Sequence, residues 1–293
     1  MSAVLHEEAT TQTPRRHFSQ RRRRAYTTLV IAGVLLFCIV AIAVLAPVLA
    51  PHNPDRLFPN GLTAGGNPVG PNAEFPLGTD QFGRDELSRL LWGGRPALLI
   101  SFAASGFSSL VGIMLGTAAG YLGGWVDTLI SRFVNILMSF PLTLFAVAIV
   151  LIVSPSLVNL IVIIAAIYWT YTARLVRAEI LTLREQEFVS AAQALGCSPW
   201  RLMVRHLMPN VLDTVIVRAV LTMAQVFLLE AGLSYLGVGV QPPTPDWGLM
   251  IAQSQNYYGV DPSLVIYPGL AIVMTVLAVT QVGESYRALK RRA

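Results

Sequence analysis

The chain has 293 residues, of which 54% are hydrophobic and only 13% are charged. Soluble domains carry about one quarter charged residues, so this composition excludes a soluble globular domain and predicts an integral membrane protein. The net charge of +5 does not indicate nucleic-acid binding, because the basic residues flank apolar segments, where they orient the chain in a membrane. The cysteines Cys38 and Cys197 predict neither a disulfide framework nor a metal site.

The N-terminal part of the sequence predicts a tail, a span and a loop. Residues 1–26 are polar and basic, which predicts a disordered cytoplasmic tail. A signal peptide is disfavoured because the charged region is long and the following apolar run exceeds a signal-peptide core. Thr27–Ala50 predicts the first transmembrane helix, since it forms roughly 36 Å of helix and the hydrocarbon layer is ~30 Å thick. Residues 51–97, rich in Pro, Gly and Asn, predict an extracytoplasmic loop.

Residues 98–286 predict a core of five further transmembrane helices, followed by a basic cytoplasmic tail at 287–293. The apolar segments of this core are Leu98–Leu122, Leu129–Val153, Leu157–Val176, Val215–Val240 and Leu264–Val282. The fold class is therefore an all-α polytopic membrane protein whose six spans put both termini on one side.

Charge asymmetry orients the six spans. With Arg132 and Arg218 taken as lying just within span mouths on the side of the termini, four of the 21 Lys and Arg residues fall on the other side. Those four are Arg56, Arg84, Arg89 and Arg95. The excess of basic residues predicts that both termini are cytoplasmic.

Three patterns outside the cytoplasmic side are open to a structural and a functional interpretation. In the outer loop, Gly78–Asp85 offers carboxylates, but a metal site needs more convergent ligands, so a capped turn opening an interfacial helix at Glu86–Leu91 is favoured. Small-xxx-small spacing predicts close packing of the second span, through Gly112, Gly116, Gly120 and Gly123. A stiff outer loop with an aromatic side chain at headgroup level is predicted from Pro242, Pro243, Pro245 and Trp247.

The segment Glu187–Asn210 is a polar helical hairpin between two apolar spans. Gly196 is placed to end its first helix in a left-handed cap, and Ser198 with Pro199 is placed to start the second helix. The first helix is predicted to present one face formed by Phe188, Ala191, Ala192 and Leu195. The second is predicted to present Trp200, Met203, Val204 and Leu207 on one face and Arg201 and Arg205 on another, with Pro209 preceding the next span. Composition alone leaves open whether this hairpin docks a soluble protein or lies on lipid headgroups.

Several motifs in fixed order resemble one family. The pattern Ala191-Ala192-x3-Gly196 followed by HLMPN resembles the EAA loop of ABC-importer permeases. The sequences PLGTDQFGRDELSRLLWGGR, GYLGGWVD, YTARLVRAEILTLREQEFV and LEAGLSYLGVGVQPPTPDWG resemble the second, C-type, permease subunit of oligopeptide, dipeptide and nickel importers, over about residues 70–285. Two departures stand: Ser190 occupies a position where that family usually has Glu, and Met208 one where it usually has Leu.

The resemblance implies a type I ABC importer transmembrane domain in a bacterial inner membrane. The hairpin would couple to cytoplasmic ATPase subunits, which would use ATP and Mg. A homologous second permease would complete the path, and an extracytoplasmic binding protein would deliver an oligopeptide or dipeptide, or alternatively nickel or another metal complex. The chain has no GxxxxGK[ST] loop, so no catalytic residue and no cofactor of its own is expected. The remaining contacts expected are membrane lipid, with no nucleic acid.

Glu230 is the one carboxylate inside the fifth apolar segment. It is interpreted as a structural group bonded to neighbours such as Ser234, with a gate residue as the alternative. An ion-coupled secondary transporter would place several ionisable residues near the midplane, and an intramembrane hydrolase would need a nucleophile or paired base in a span. The predicted spans hold neither.

Overall fold

The computed structural model of the protein describes residues 14–290, with side chains from residue 22 onward. Within that range the chain is helical and has no strand, only two isolated β-bridges in the loop that follows the first helix. The helices are α1 (Pro14–Leu49), α2 (Glu86–Leu122), α3 (Gly124–Met138), α4 (Leu142–Val153), α5 (Leu157–Leu183), α6 (Glu187–Ala194), α7 (Pro199–Leu202), α8 (Met208–Tyr235), α9 (Trp247–Ser254) and α10 (Ser263–Lys290), with a π-helical turn at Met203–Leu207 and a 3-10 turn at Gln255–Tyr257.

The predicted fold class is confirmed. Among the described residues, five helical stretches are long and apolar enough to cross a membrane, and α3 with α4 makes a sixth if that bent pair is one span. The apolar segment Leu129–Val153, predicted as one transmembrane helix, is divided between α3 and α4, which meet at 88°. Pro141 supplies the reason: it has no backbone N–H, and its ring disfavours helical geometry at Phe140.

The ends of the chain are more helical than predicted. Helix α1 begins at Pro14, so residues 14–26 of the predicted disordered tail extend the first span, while residues 1–13 lie outside the described residues. Arg and Gln are good helix formers, and propagation from an existing helix is favourable. Helix α10 likewise continues through Lys290, and 291–293 lie outside the described range.

Helix α2 begins at Glu86, so the predicted interfacial helix is the first part of the second span. The predicted cap is present, since the Asp85 carboxylate accepts a hydrogen bond from the Ser88 backbone N–H at 3.0 Å. Within this helix, Gly93 and Gly94 leave the space that the indole of Trp247 occupies. Trp247 is buried and donates from Nε1 to the Leu90 carbonyl at 2.8 Å, so its indole packs inside the protein. Its predicted depth at headgroup level stays a prediction.

Close contact between α2 and α5 forms the centre of the bundle. At Gly112, Gly116 and Gly120, a Cβ atom would overlap α5, which explains the small residues at this spacing. Gly123 does not take part in that packing; it ends α2 with a φ of 65°. Helix α1 lies at the side of the bundle, against α10 and α2.

The loop between α1 and α2 is held by a buried ion cluster. Arg84 Nε lies 2.6 Å and Arg89 Nε 3.3 Å from Oδ2 of Asp80. Arg89 also donates to the Pro54 carbonyl at 3.1 Å, which ties the start of the loop to α2. Because two guanidinium groups pair with Asp80, the capped-turn interpretation is favoured over a metal site.

Candidate functional site

The hairpin of residues 187–210 has the local geometry that its sequence predicts. Helix α6 ends at Gly196, whose φ of 77° gives the left-handed cap, and Cys197 N–H bonds back to the Ala192 carbonyl at 3.0 Å. Ser198 Oγ accepts from the Arg201 backbone N–H at 3.4 Å, and Pro199 is the first residue of α7. The turn is therefore closed by its own hydrogen bonds.

One side of the hairpin is anchored in the helix bundle. Val189, Leu202 and Leu207 are fully buried, and they pack with apolar residues of α5 and α8, including Ile180 and Val211. Val189 was not among the residues predicted for either face of the hairpin, and the adjacent Phe188 hid it, because both are apolar. The hairpin is thus attached to the bundle by packing as well as by its chain connections.

The other side of the hairpin exposes large apolar side chains. Leu195 is 88% exposed, Trp200 is 70% exposed and Phe188 is 41% exposed. Ala191 is also exposed, but Ala192 packs against the buried cluster, so its assignment to the exposed face was wrong. Val189 points into the bundle and Phe188 does not. Ala192 follows Val189 by three residues, so it lies on the same, bundle-facing side of α6. We call the exposed residues Phe188, Ala191, Leu195 and Trp200 the apolar docking face, after the role that the sequence resemblance implies for the hairpin.

The second helix of the hairpin does not stop before the next span. Helix α7 passes through the π-helical turn Met203–Leu207 directly into α8, giving one helical stretch from Pro199 to Tyr235. Pro209 does not interrupt it, because it lies at the start of α8, where its missing N–H is tolerated after the wider turn. The predicted common face of Trp200 and Leu207 was wrong: the first is exposed and the second buried.

The basic and proline positions of the hairpin face away from the bundle core. Arg201, Arg205 and Pro209 are all exposed. They add positive charge beside the apolar docking face without contributing to the buried anchor. No carboxylate among residues 22–290 forms an ion pair with either arginine.

Glu230 lies fully buried on α8 and takes part in a second polar centre. Ser234 Oγ donates to Glu230 Oε1 at 2.8 Å and accepts from the Val240 N–H at 3.0 Å, as a structural role requires. Asp246, in the loop between α8 and α9, is buried within hydrogen-bonding reach of Glu230. Two adjacent buried carboxyl groups are stable with a proton between them.

Two glycines allow this carboxyl pair to form. A Cβ atom at Gly239 would overlap Ser234, and one at Gly248 would overlap the Ala231 carbonyl, so the segment after α8 folds closely back onto it. Burial raises the pKa of Asp246 to about 6, although the backbone N–H groups at the start of α9 oppose that rise. The pair therefore fastens the loop between α8 and α9 to the end of α8.

Comparison with known proteins identifies the family. Residues 112–292 match the model of binding-protein-dependent transport system inner membrane components. The dipeptide transport system permease protein of Alkalihalophilus pseudofirmus is 37% identical over 258 residues, covering 88% of this chain and 83% of that protein. A glutathione transport system permease protein of Pectobacterium atrosepticum is 35% identical over 280 residues, covering 94% and 90%. The di/tripeptide transport system permease protein of Pseudomonas aeruginosa is 38% identical over 258 residues, covering 87% and 85%. With more than half of its length matched and these identities, the chain belongs to the binding-protein-dependent transport system inner membrane component family, the permease subunits of ABC importers.

Proposed function

We propose that this chain is a permease subunit of an ABC importer that takes up short peptides. The observation that carries the proposal is the hairpin, which joins a buried anchor to the exposed apolar docking face. Relatives named for dipeptides, di/tripeptides and glutathione share 35% to 38% identity with the chain. Glutathione is a tripeptide, so these names support one substrate class.

The proposed assembly divides the work among several chains. Cytoplasmic ATPase subunits use ATP and Mg, an extracytoplasmic binding protein delivers the peptide, and a homologous permease forms the second half of the path. This chain has no phosphate-binding GxxxxGK[ST] loop, so hydrolysis belongs to the partners. The match to inner membrane components supports a bacterial inner-membrane location, and the asymmetry of Lys and Arg supports both termini being cytoplasmic.

In the proposed mechanism, the ATPase subunits move the hairpin when they close on ATP. Because α7 continues into α8, displacement of the docking face moves a spanning helix. The bundle then alternates between states open to either side, with the nucleotide state selecting between them. Transport should therefore not depend on the proton gradient, in contrast to an ion-coupled carrier.

A reconstitution experiment tests the substrate class and the energy source together. The chain is co-expressed with the subunits encoded beside it and placed in proteoliposomes with ATP inside and the loaded binding protein outside. We expect uptake of a radiolabelled tripeptide that requires ATP and is unchanged by an uncoupler. Uptake of ⁶³Ni²⁺ with no peptide uptake would instead support the metal-importing alternative.

The docking role is tested by variants on the hairpin. Gly196→Val places a β-branched residue at a φ of 77°, and Ala191→Glu puts a charge on the docking face, where Ala192→Glu would disturb the bundle as well. Both variants should abolish peptide-stimulated ATP hydrolysis, while Ala191→Ser keeps it. If both purified with intact membrane insertion and normal stimulation, the hairpin would not be the coupling element.

A further inference from the structure

A cavity of about 470 Å³ lies between α4, α5 and α8. Its polar wall groups are Arg218 and Gln225 of α8, Tyr168 and Tyr171 of α5, and Thr143 at the start of α4. The remaining wall is apolar, and Leu228 on it is 58% exposed, so the cavity opens to the outside of this chain's bundle. Its volume falls within the range of small-molecule sites.

The charged and phenolic groups of the cavity come from the middle of two helical stretches. Arg218 sits near the middle of the helical stretch Pro199–Tyr235, and Tyr168 and Tyr171 flank the middle of α5. The apolar part of this stretch begins at Val215, so the predicted position of Arg218 just within a span mouth stays a prediction. Thr143 adds the first turn of α4, just after the 88° break, where backbone N–H groups have no partner inside the helix.

Arg218 has no counter-charge within the described chain. No carboxylate among residues 22–290 forms an ion pair with it, and its Nε atom is buried without a hydrogen-bond partner. Its guanidinium carbon lies 5.3 Å from the centre of the Tyr171 ring, which orients the group without neutralising it. An arginine on a helix that crosses a membrane, in a partly apolar cavity, is unfavourable unless a polar or anionic group meets it.

We propose that Arg218 binds the carboxylate of a peptide in transit, with Tyr168, Tyr171, Gln225 and Thr143 around it; the inference rests on the proposed function. Every linear peptide has a terminal carboxylate whatever its side chains, so a single guanidinium recognises the whole substrate class. Guanidinium groups bind carboxylates through paired hydrogen bonds. Arg218 is a single cation in a cavity that is open on one side, so it should bind the peptide weakly. Weak binding is what passage along a transport path requires, because the substrate must also be released.

The test uses the complete complex in proteoliposomes and two tracer peptides, trialanine and its C-terminal amide. Both are presented on the binding protein at concentrations at which fluorescence titration shows it saturated. The variants are Arg218→Gln, Arg218→Lys and the control Arg174→Gln, which makes the same change at an exposed arginine of α5. Since the binding protein is the same throughout, a change in discrimination between the peptides belongs to the permease.

We expect Arg218→Gln to lower trialanine uptake by about 10-fold and uptake of the amide by less than about 2-fold, as loss of one charged hydrogen-bonded contact implies. Arg218→Lys should keep part of the preference, and Arg174→Gln all of it. An equal loss for both peptides, or failure of Arg218→Gln to co-purify with the second permease, overturns the proposal and makes Arg218 a partner of a subunit carboxylate. A wild-type complex that imports neither peptide refutes the proposed function itself, and this inference with it.

Discussion

Truncation of Trp200 gives a quantitative test of the docking face. The side chain is 70% exposed although it is large and apolar, and its neighbour in the turn, Leu195, is 88% exposed. A Trp presents roughly 150–250 Å² to an interface, and at about 25 cal/mol per Å² the exposed part is worth up to about 4 kcal/mol when buried by a partner.

The Ala side chain keeps part of the apolar surface of Trp200, and the interface can rearrange around the smaller residue, so the loss should be less than this upper value. We therefore expect Trp200→Ala to weaken ATPase binding by about 2–3 kcal/mol, or roughly 30- to 150-fold. Leu195→Ala should weaken it by about 1–2 kcal/mol, since a buried Leu contributes less. The protein's thermal stability should change little, because neither side chain packs in the bundle.

The assay is a titration of the purified ATPase subunit onto the permease pair in nanodiscs, read by surface plasmon resonance. Phe102→Ala is the control, since Phe102 is also 70% exposed but lies within the apolar part of α2. The affinity of the Phe102→Ala variant for the ATPase subunit should match that of the wild type within about 2-fold. Wild-type affinity in both Trp200→Ala and Leu195→Ala would refute the assignment of the docking face.

Three other predictions follow from the packing, the carboxyl pair and the charge pattern. Gly116→Ala should lower the unfolding midpoint by several degrees in a thermal-shift assay, because its Cβ meets α5 backbone, whereas Gly106→Ala has open space around it and should not. Between about pH 4 and about pH 6 the wild type should lose stability as pH rises, because burial raises the pKa of Asp246 to about 6 and the folded state then holds a proton that the unfolded state releases. Asp246→Asn removes that contribution and should make the loss of stability with pH less steep in the same assay. A membrane-impermeant maleimide on intact cells should label a cysteine introduced at Asn72 and miss Cys197 until the membrane is opened; labelling of Cys197 in sealed cells would reverse the topology.

Local signals were enough to predict the spans and the turn of the hairpin. Apolar length identified the membrane-crossing stretches, and Gly196 with Ser198 and Pro199 determined the cap and the restart of the helix. These features depend on residues a few positions apart. The break before α4 also had a local signal in Pro141, but the apolar run on both sides concealed it.

Features that depend on tertiary packing could not be predicted in this way. Asp246 meets Glu230 because the chain after α8 folds back at Gly239 and Gly248. Hydrophobic periodicity in the sequence does not predict such a reversal. The burial of Ala192 depends on which neighbouring residue enters the bundle.

A last prediction concerns how movement of the hairpin reaches the rest of the bundle. Val189 is buried against the bundle, and α7 runs unbroken into α8, so the hairpin and the spanning helix should move as one rigid unit. Spin labels at Ala194→Cys and Leu236→Cys, in a background without the native cysteines, report on the two ends of that unit. Their separation should stay the same with and without ATP and vanadate, while the distance from Ala194→Cys to a label on the second permease changes. If the distance between the labels at positions 194 and 236 changed as much as the distance to the second permease, the hairpin would be a flexible arm. The π-helical turn would then be the place where it bends.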